Sequence, residues 1–350
     1  MRVAVLTPLP PAKSGVAHYA SLLLPELAKR VEVRAFASPE GYRRAEFDAV
    51  IYQLGNNPHH EFAYTEALRE PGVVVLHDLV LHHLIVELTL ARGDAAGYVA
   101  ALEASHGPAG AAWARGRAAG LHSEMGNFLL PASIEVARRA RAVIVHNEYA
   151  RTRLRDFGVT TPIHVVAHPY VHEERAADRA AFAGKRVIGF FGFLTSAKRA
   201  EVVLEAFALA RARDPRLVLL IVGEPAPNIT LPRLDGVVTT GYVADEEFGS
   251  YYALADRLVN LRYPTAGETS GTLIRALDAG KPVAVSDYAQ FAEFPDDCVF
   301  KVPLGSGEVD RLVSFFLDEL PSPAAAQRAW LEEHASVART VDGYLEALAR

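Results

Sequence analysis

The sequence predicts an α/β protein built from two tandem doubly wound, Rossmann-like parallel-sheet domains. Short apolar runs alternate with longer helical patterns from end to end, which signals βαβ units rather than a sandwich or a bundle. Twelve such runs occur, six in each half of the chain. At 350 residues the chain also exceeds what a single hydrophobic core usually supports, so two domains are expected.

Taken in order, the strands of the first half are expected at 2–7, 31–37, 48–54, 73–78, 142–147 and 162–168. Those of the second half are expected at 186–192, 217–223, 237–243, 257–263, 282–287 and 298–303. The charged, Ala-rich stretch 169–185 between the two sets reads as the boundary, giving domains of 1–170 and 171–327. Residues 79–122 read as long Ala-rich helices broken near His106-Gly107-Pro108, either a surface insertion or part of an acceptor pocket. The last stretch, 328–350, is an amphipathic helical pattern with no strand after it.

Composition narrows the function classes. Half of the residues are hydrophobic, yet no apolar run reaches the roughly 18 residues of a membrane span. The N-terminus MRVAVLTPLPP has too short an apolar stretch for a signal peptide, which makes the cytoplasm the expected location. The single cysteine, Cys298, excludes an intrachain disulfide. Lys and Arg against Asp and Glu count 17 to 16 over residues 1–165 and 19 to 26 over 166–350, so no basic face for nucleic acid is expected. The local run Arg138, Arg139, Arg141, Arg151, Arg153 and Arg155 reads as a solvated helix face. Nothing in the sequence supports contact with a membrane surface, and nothing excludes peripheral contact.

In open α/β sheets ligands bind beyond the carboxyl ends of the strands, and two facing sheets would hold one between them. The turns after the strands are therefore where chemistry is sought. After the first strand, Ser14-Gly15 opens a helical pattern, and Gly15 either lets the backbone approach a phosphate or sugar or simply makes the turn. After the third come Asn56, Asn57, His59 and His60, good turn formers as well as candidate ligand contacts. After the fourth come His77 and Asp78, an imidazole and a carboxylate suited to hold a sugar hydroxyl or orient an acceptor. His82 and His83 follow one turn on, but the constellation lacks the convergence a metal site needs, and no metal site is expected.

In the second half, Gly192 lies at a strand end and Lys198 at a helix entry, where the dipole favours anions. Only six of the 36 basic residues are lysines, so a lysine in that unfavourable place points to a bound phosphate, with Arg199 beside it as a further candidate. Gly223-Glu224 and Tyr242-Val243 end further strands and either approach a nucleoside or pack as ordinary turns. The stretch RYPTAGETSGTLIRALDAGKPVAVSD (262–287) is the most telling. A strand running into small and hydroxylated residues that open an amphipathic helix leaves free N–H groups at the positive end of the dipole. It reads as a phosphate cradle, or else as a plain strand-to-helix connection with Thr269 or Ser270 as N-cap.

Together these stretches resemble the GT-B glycosyltransferases, most closely the retaining family 4. The likeness runs over nearly the whole chain and is strongest at Gly192–Lys198, the VGE turn, GYV with the acidic helix after it, and PTAGETSGTLIRALDAGKPVAVSD. The resemblance implies a nucleotide-sugar-binding C-terminal domain, an acceptor-binding N-terminal domain, and a terminal helix (328–350) returning to the first domain. It implies that Lys198 contacts the donor diphosphate, Thr269, Ser270, Gly271 and Thr272 cradle it, Gly15 faces the donor, and His77 lies near the transferred sugar. Two departures stand out. The family places Glu, seven residues, then Glu here; this chain has Gly267 and Arg275 at those places, with Glu268 one residue late. An arginine that often precedes the lysine is missing, with Phe193 in its neighbourhood, which leaves Lys198 and backbone for the leaving group, with Arg199 or Arg275 as further candidates.

The expected activity is transfer of a sugar from a nucleotide sugar to a hydroxyl of a glycan, a lipid-linked or a small-molecule acceptor, with retention at the anomeric carbon. The nucleotide sugar is a substrate, and no cofactor is expected; the absence of an Asp-x-Asp pattern fits chemistry without a metal. The alternatives are another GT-B activity, such as an inverting transferase or a sugar-nucleotide epimerase, and a non-catalytic nucleotide- or glycan-binding protein. Arg275 keeps the last one open, because a guanidinium cannot accept hydrogen bonds from ribose hydroxyls.

Overall fold

The computed structural model describes residues 1–349 except 13, 122, 174, 175 and 228; of residues 245 and 246 it describes only the backbone. All twelve expected strands form: β1 (Arg2–Leu6), β2 (Glu32–Phe36), β3 (Ala49–Leu54), β4 (Val73–Leu76), β5 (Ala142–Val145) and β6 (Ile163–Val165), then β7 (Arg186–Phe191), β8 (Leu217–Val222), β9 (Val237–Thr239), β10 (Arg257–Asn260), β11 (Val283–Ser286) and β12 (Phe300–Val302). They make two six-stranded sheets, ordered β2-β1-β3-β4-β5-β6 and β12-β11-β10-β7-β8-β9. Every pairing is parallel, and helices flank both sheets.

The chain divides into two compact units. One comprises Met1–Pro169, Ala266–Thr269 and Ala335–Arg350; the other comprises Tyr170–Thr265 and Ser270–His334. The expected single helix over 328–350 is two helices, Ala324–His334 in the second unit and Val337–Leu348 in the first. The break follows Ser336, which caps the later helix in extended conformation.

A parallel sheet is covered on both faces, so its strands read as continuous apolar runs rather than alternating ones. In β1, Val3 and Val5 join one core with Tyr19, Leu23 and Leu27 of the helix Gly15–Leu27 and with Val341 and Tyr344 of the last helix. Ala4 and Leu6 join the opposite core, with Ala63 and Ala67, Leu84 and Ile85, and Leu102. In the second unit, Ile188 and Phe190 pack against Val203, Phe207, Leu312 and Phe316, which come from the helices Ala200–Arg211 and Glu308–Leu317. The Ala-rich insertion is helical over Ala95–Ala118, interrupted at Gly107, whose φ of 65° and following Pro108 break the run where the sequence indicated.

The two strand orders fix where ligands would be expected. In each sheet the order reverses once, beside β1 and β3 in the first and between β7 and β10 in the second. Turns leaving such paired strands diverge and open a crevice at their carboxyl ends. Lys198 follows β7 and the 262–272 stretch follows β10, so both flank the reversal of the second sheet.

Candidate functional site

In the second unit the chain leaves β7 through Gly192, which has φ 90°. A Cβ there would lie 2.7 Å from Lys198 Nζ and 3.2 Å from Thr272 Cγ2, so the three residues meet where only glycine leaves room. Lys198 is only 6 % exposed, and its ammonium donates to Phe191 O at 2.5 Å. The lysine ends a 3-10 turn, Ser196–Lys198, and precedes the helix rather than sitting in its first turn as expected. The reason is Arg199, whose left-handed backbone (φ 56°, ψ 43°) separates the turn from the helix Ala200–Arg211.

Arg199 itself departs from the donor-binding expectation. Its Nε and Nη2 donate to the two carboxylate oxygens of buried Glu308 at 2.9 and 2.6 Å, so its charge is neutralised within the protein. Nothing in the local sequence could reveal a partner 109 residues away.

The helix Gly271–Asp278 starts beside this turn. Ser270 is its N-cap: its hydroxyl accepts from Leu273 N at 3.3 Å and donates to Asn260 Oδ1 at 3.1 Å. Thr272 Oγ1 donates to the same Asn260 oxygen at 3.1 Å and lies 2.8 Å from Ser270 Oγ. The two side chains are thus spent on shaping the helix start, with Asn260 at the end of β10 as the anchor the sequence reading missed. What the start offers a ligand is backbone: the amides of Gly271 and Thr272 have no partner inside a helix that begins there. Such amides beside a buried ammonium have the chemistry to attract an anion.

Thr269, just before this helix start, makes its contact within the first unit. With Ala266, Gly267 and Glu268 it forms part of the first unit, where Asn147 Nδ2 donates to Gly267 O at 3.0 Å and lies 3.4 Å from Thr269 Oγ1. Gly267 has φ 73°, and a Cβ on it would fall 2.6 Å from Leu79 Cβ. A glutamate at that place would be strained and would collide, which accounts for the acid standing at 268 instead. Glu268 turns back to accept from Ala266 N at 2.9 Å.

The remaining donor-side candidates are spread more widely. Glu224 is exposed, and its carbonyl accepts from Leu194 N at 2.8 Å. Tyr242 and Val243 lie beyond β9, which ends at Thr239 and not at 243; left-handed Gly241 and a bridge from it to Gly223 terminate the pairing. Tyr242 is 53 % exposed. Arg275 is half-buried and lies over the Phe248 ring at 5.4 Å, beside Phe191 and Tyr252, which stack at 4.1 Å.

The first unit presents a different chemistry. Gly15 begins its helix after the N-cap Ser14, with open space where a side chain would be. Asp78 accepts from Asn56 N at 2.7 Å and so holds the turn after β3. His77 is not an ordinary satisfied core histidine. Only 8 % exposed, it lies 3.0 Å through Nδ1 from His146 Nε2, and the Tyr19 ring meets it edge-on at 4.6 Å. His146 was not singled out in the sequence, yet a signal existed. VVVLHD and AVIVHN both end an apolar quartet with histidine, and β4 and β5 pair in register, Leu76 against Val145.

Donor logic fixes the tautomers. His146 Nδ1 lies 2.7 Å from Val166 O, which can only accept, so Nδ1 carries the proton. Burial lowers the His146 pKa to about 4, so at neutral pH its Nε2 is bare and accepts from His77 Nδ1–H. Burial, with His146, His60 and His168 nearby, holds His77 well below the usual range as well. His77 Nε2 is therefore an unprotonated acceptor, buried and without a protein partner among the described residues. Around it run further buried polar links: Tyr19 OH to Tyr344 OH at 2.9 Å, Gln53 Nε2 to Tyr344 OH at 3.3 Å, and Thr7 OH to Gln53 Oε1 at 2.8 Å.

Among the described residues no cluster of three or more His, Cys, Asp or Glu could hold a metal ion, and no helix is long and apolar enough to cross a membrane.

Comparison with known proteins agrees with this architecture. Residues 185–311 match the family described as Glycosyl transferases group 1, and the chain has the GT-B fold of glycosyltransferases. No curated protein matches by sequence. Among solved structures, Anabaena HepE in complex with UDP and glucose is similar over 100 % of this chain and 99 % of its own, at 16 % identity and a TM-score of 0.64. Sucrose-phosphate synthase from Thermosynechococcus elongatus is similar over 100 % and 94 %, at 15 % identity and 0.59. A glycosyltransferase involved in avilamycin A biosynthesis is similar over 100 % and 97 %, at 16 % identity and 0.54.

Proposed function

We propose that this protein is a glycosyltransferase that moves a sugar from a nucleotide-sugar donor to a hydroxyl acceptor, with retention at the anomeric carbon and without a metal ion. The observation that carries the reading is the buried Lys198 ammonium packed against Gly192 and the start of the helix at Gly271, at the strand-order reversal of the second sheet. Breaking the bond to a nucleoside diphosphate builds negative charge on the departing phosphates. A fixed cation and helix amides need no reorganisation to stabilise that charge. UDP is the first nucleotide to test, since the Anabaena protein was solved with UDP-glucose.

In this reading the second unit holds the donor through Gly192, Lys198 and the amides of Gly271 and Thr272, with Ser270 shaping the cradle and Glu224, Tyr242, Val243 and Arg275 toward the nucleoside. In the first unit Gly15 gives close backbone approach and His77 Nε2 accepts from a sugar or acceptor hydroxyl, with Asp78, Glu268 and Thr269 as that unit's further polar candidates. The acceptor oxygen bonds to the anomeric carbon as the bond to the diphosphate breaks, and its proton passes to a phosphate oxygen. No covalent enzyme intermediate is required.

A second reading, a nucleotide- or glycan-binding protein without turnover, is favoured by Arg275, which offers no acceptor for ribose hydroxyls. Calorimetric titration with UDP-, GDP-, ADP- and dTDP-sugars, followed by NMR of any product, tests both. Binding with turnover and an unchanged anomeric configuration supports transfer with retention; binding with no turnover on any acceptor or water supports the second reading. No binding by any donor sinks transfer from a nucleotide sugar and the nucleotide-binding form of the second reading.

A further inference from the structure

Lys198 is gripped from both sides. Before it, Ala197 O accepts from Tyr263 N at 2.8 Å, which ties the turn to the segment after β10. After it, Arg199 adopts a left-handed conformation that costs a non-glycine residue on the order of 1 kcal/mol. Among the described residues only Ala132 and Ala289 share that feature without being glycine.

Arg199 stays there because its ends are held. Its carbonyl accepts from Val202 N and Val203 N at 3.1 and 3.2 Å, capping the helix. Its guanidinium makes the paired bonds to Glu308 and lies over the Tyr263 ring at 5.8 Å. The Glu308 side chain is 3 % exposed, stands at the positive end of its own helix, and also accepts from Gly305 N at 3.3 Å. A buried ion pair adds little net stability against a well-packed apolar pair, and its best-attested use is to specify one arrangement over another. Backbone strain next to a candidate ligand group, locked by a buried pair, has the form of a positioning device.

We propose that Arg199 and Glu308 are positioning residues: their ion pair holds residue 199 in the left-handed conformation that directs the Lys198 ammonium toward Gly192 and the helix start. Neither residue touches the donor. The proposal rests on the anion-site reading of Lys198 for its consequence, but its geometry can be measured without a ligand.

The test keeps the buried carboxylate from being stranded by working in a Glu308→Gln background, where Gly305 retains its acceptor. Arg199→Gly in that background adopts the left-handed conformation freely, whereas Arg199→Ala is biased away from it. Two readouts are taken: amide resonances of Gly192 and Lys198 in the unliganded protein, and UDP affinity by calorimetry. The expected result is wild-type resonances and near wild-type affinity with glycine. With alanine, the resonances shift and UDP binds about fivefold more weakly, the factor corresponding to the conformational bias. Identical resonances and affinities in the two double variants would overturn the proposal, leaving the ion pair a purely structural contact visible only in melting temperature. Shifted resonances in a protein that binds no nucleotide at all would uphold the positioning and refute the functional reading.

Discussion

The two units share a sheet architecture but equip their strand ends in opposite ways. In the second unit the ends gather fixed positive potential: a buried ammonium, a left-handed glycine beside it, and a helix start. In the first unit they gather neutral groups, two imidazoles and two phenols linked by hydrogen bonds, all with ionisation suppressed by burial. The contrast teaches that a parallel sheet supplies the place and not the chemistry. An anion needs charge that is already positioned, whereas a sugar hydroxyl needs an acceptor, which a buried neutral imidazole supplies.

The sharpest way to break this contrast is Lys198→Ala. Loss of a charged hydrogen-bonding group on a diphosphate should weaken UDP binding by roughly 10- to 100-fold. Turnover should fall by about 10² to 10³, because the charge it meets grows in the transition state. The melting temperature without ligand should hardly move. An unchanged UDP affinity by calorimetry would remove the anion site from the second unit.

Acid should separate the units next. Burial lowers the pKa of His60, His82, His106 and His146 to about 4, and all four belong to the first unit. The unfolded chain titrates them near 6.5, so between those values it binds more protons than the folded protein. Stability from these groups is complete above about pH 6.5 and is lost as the pH falls toward 4. At pH 5, fully buried His60 and His146 should each have given up roughly 2 kcal/mol. The two tryptophans make this measurable, Trp113 lying in the first unit and Trp330 in the second. With Trp330→Phe the fluorescence melt should shift steeply downward between pH 6.5 and 5, and with Trp113→Phe much less. Equal shifts would mean that the neutral imidazoles are not what distinguishes the first unit.

How much of this was legible in the sequence follows from the range of each interaction. The strands were legible because burial on both faces turns each into an unbroken apolar run, as in LVLLIV of β8. Their carboxyl ends were not: all the expected strands but β3 overran by one to four residues, since His77, Asn147 and Tyr242 continue the pattern in composition but leave the sheet in geometry. Scarcity drew attention to Lys198, but its place in a turn ahead of the helix was not legible, because it depends on the left-handed backbone of Arg199. The protein partners of Arg199 and His77 were not legible, because Glu308 is distant in sequence and His146 follows the neighbouring strand.

The His146 link gives a subtler test of the first unit. His146→Phe removes the acceptor that fixes the His77 tautomer while filling similar space. In ¹⁵N spectra of the wild type, His77 should show a protonated Nδ1 and a bare Nε2; in the variant the two forms should mix. Turnover should drop about tenfold, within the range attributed to one oriented hydrogen-bonding group, with UDP affinity unchanged. A drop in UDP affinity instead would show that the first unit's imidazoles serve the nucleotide.

The smallest effect concerns Arg275, and it asks how far the second unit's positive character extends. The guanidinium over Phe248 has donors only, so it cannot accept the hydrogen bond of a ribose 2′-hydroxyl. Wild-type protein should therefore bind UDP and 2′-deoxy-UDP within about threefold of each other, less than one ordinary hydrogen bond contributes. Arg275→Glu restores an acceptor on the same helix face, and one such bond should produce a preference for UDP of roughly five- to tenfold. If the wild type already discriminates strongly, the ribose is read by other groups and the arginine is no departure in function. If neither protein discriminates, the nucleoside lies away from this helix. The cradle at Gly271 would then hold the phosphates alone, leaving the base to the turns after β8 and β9.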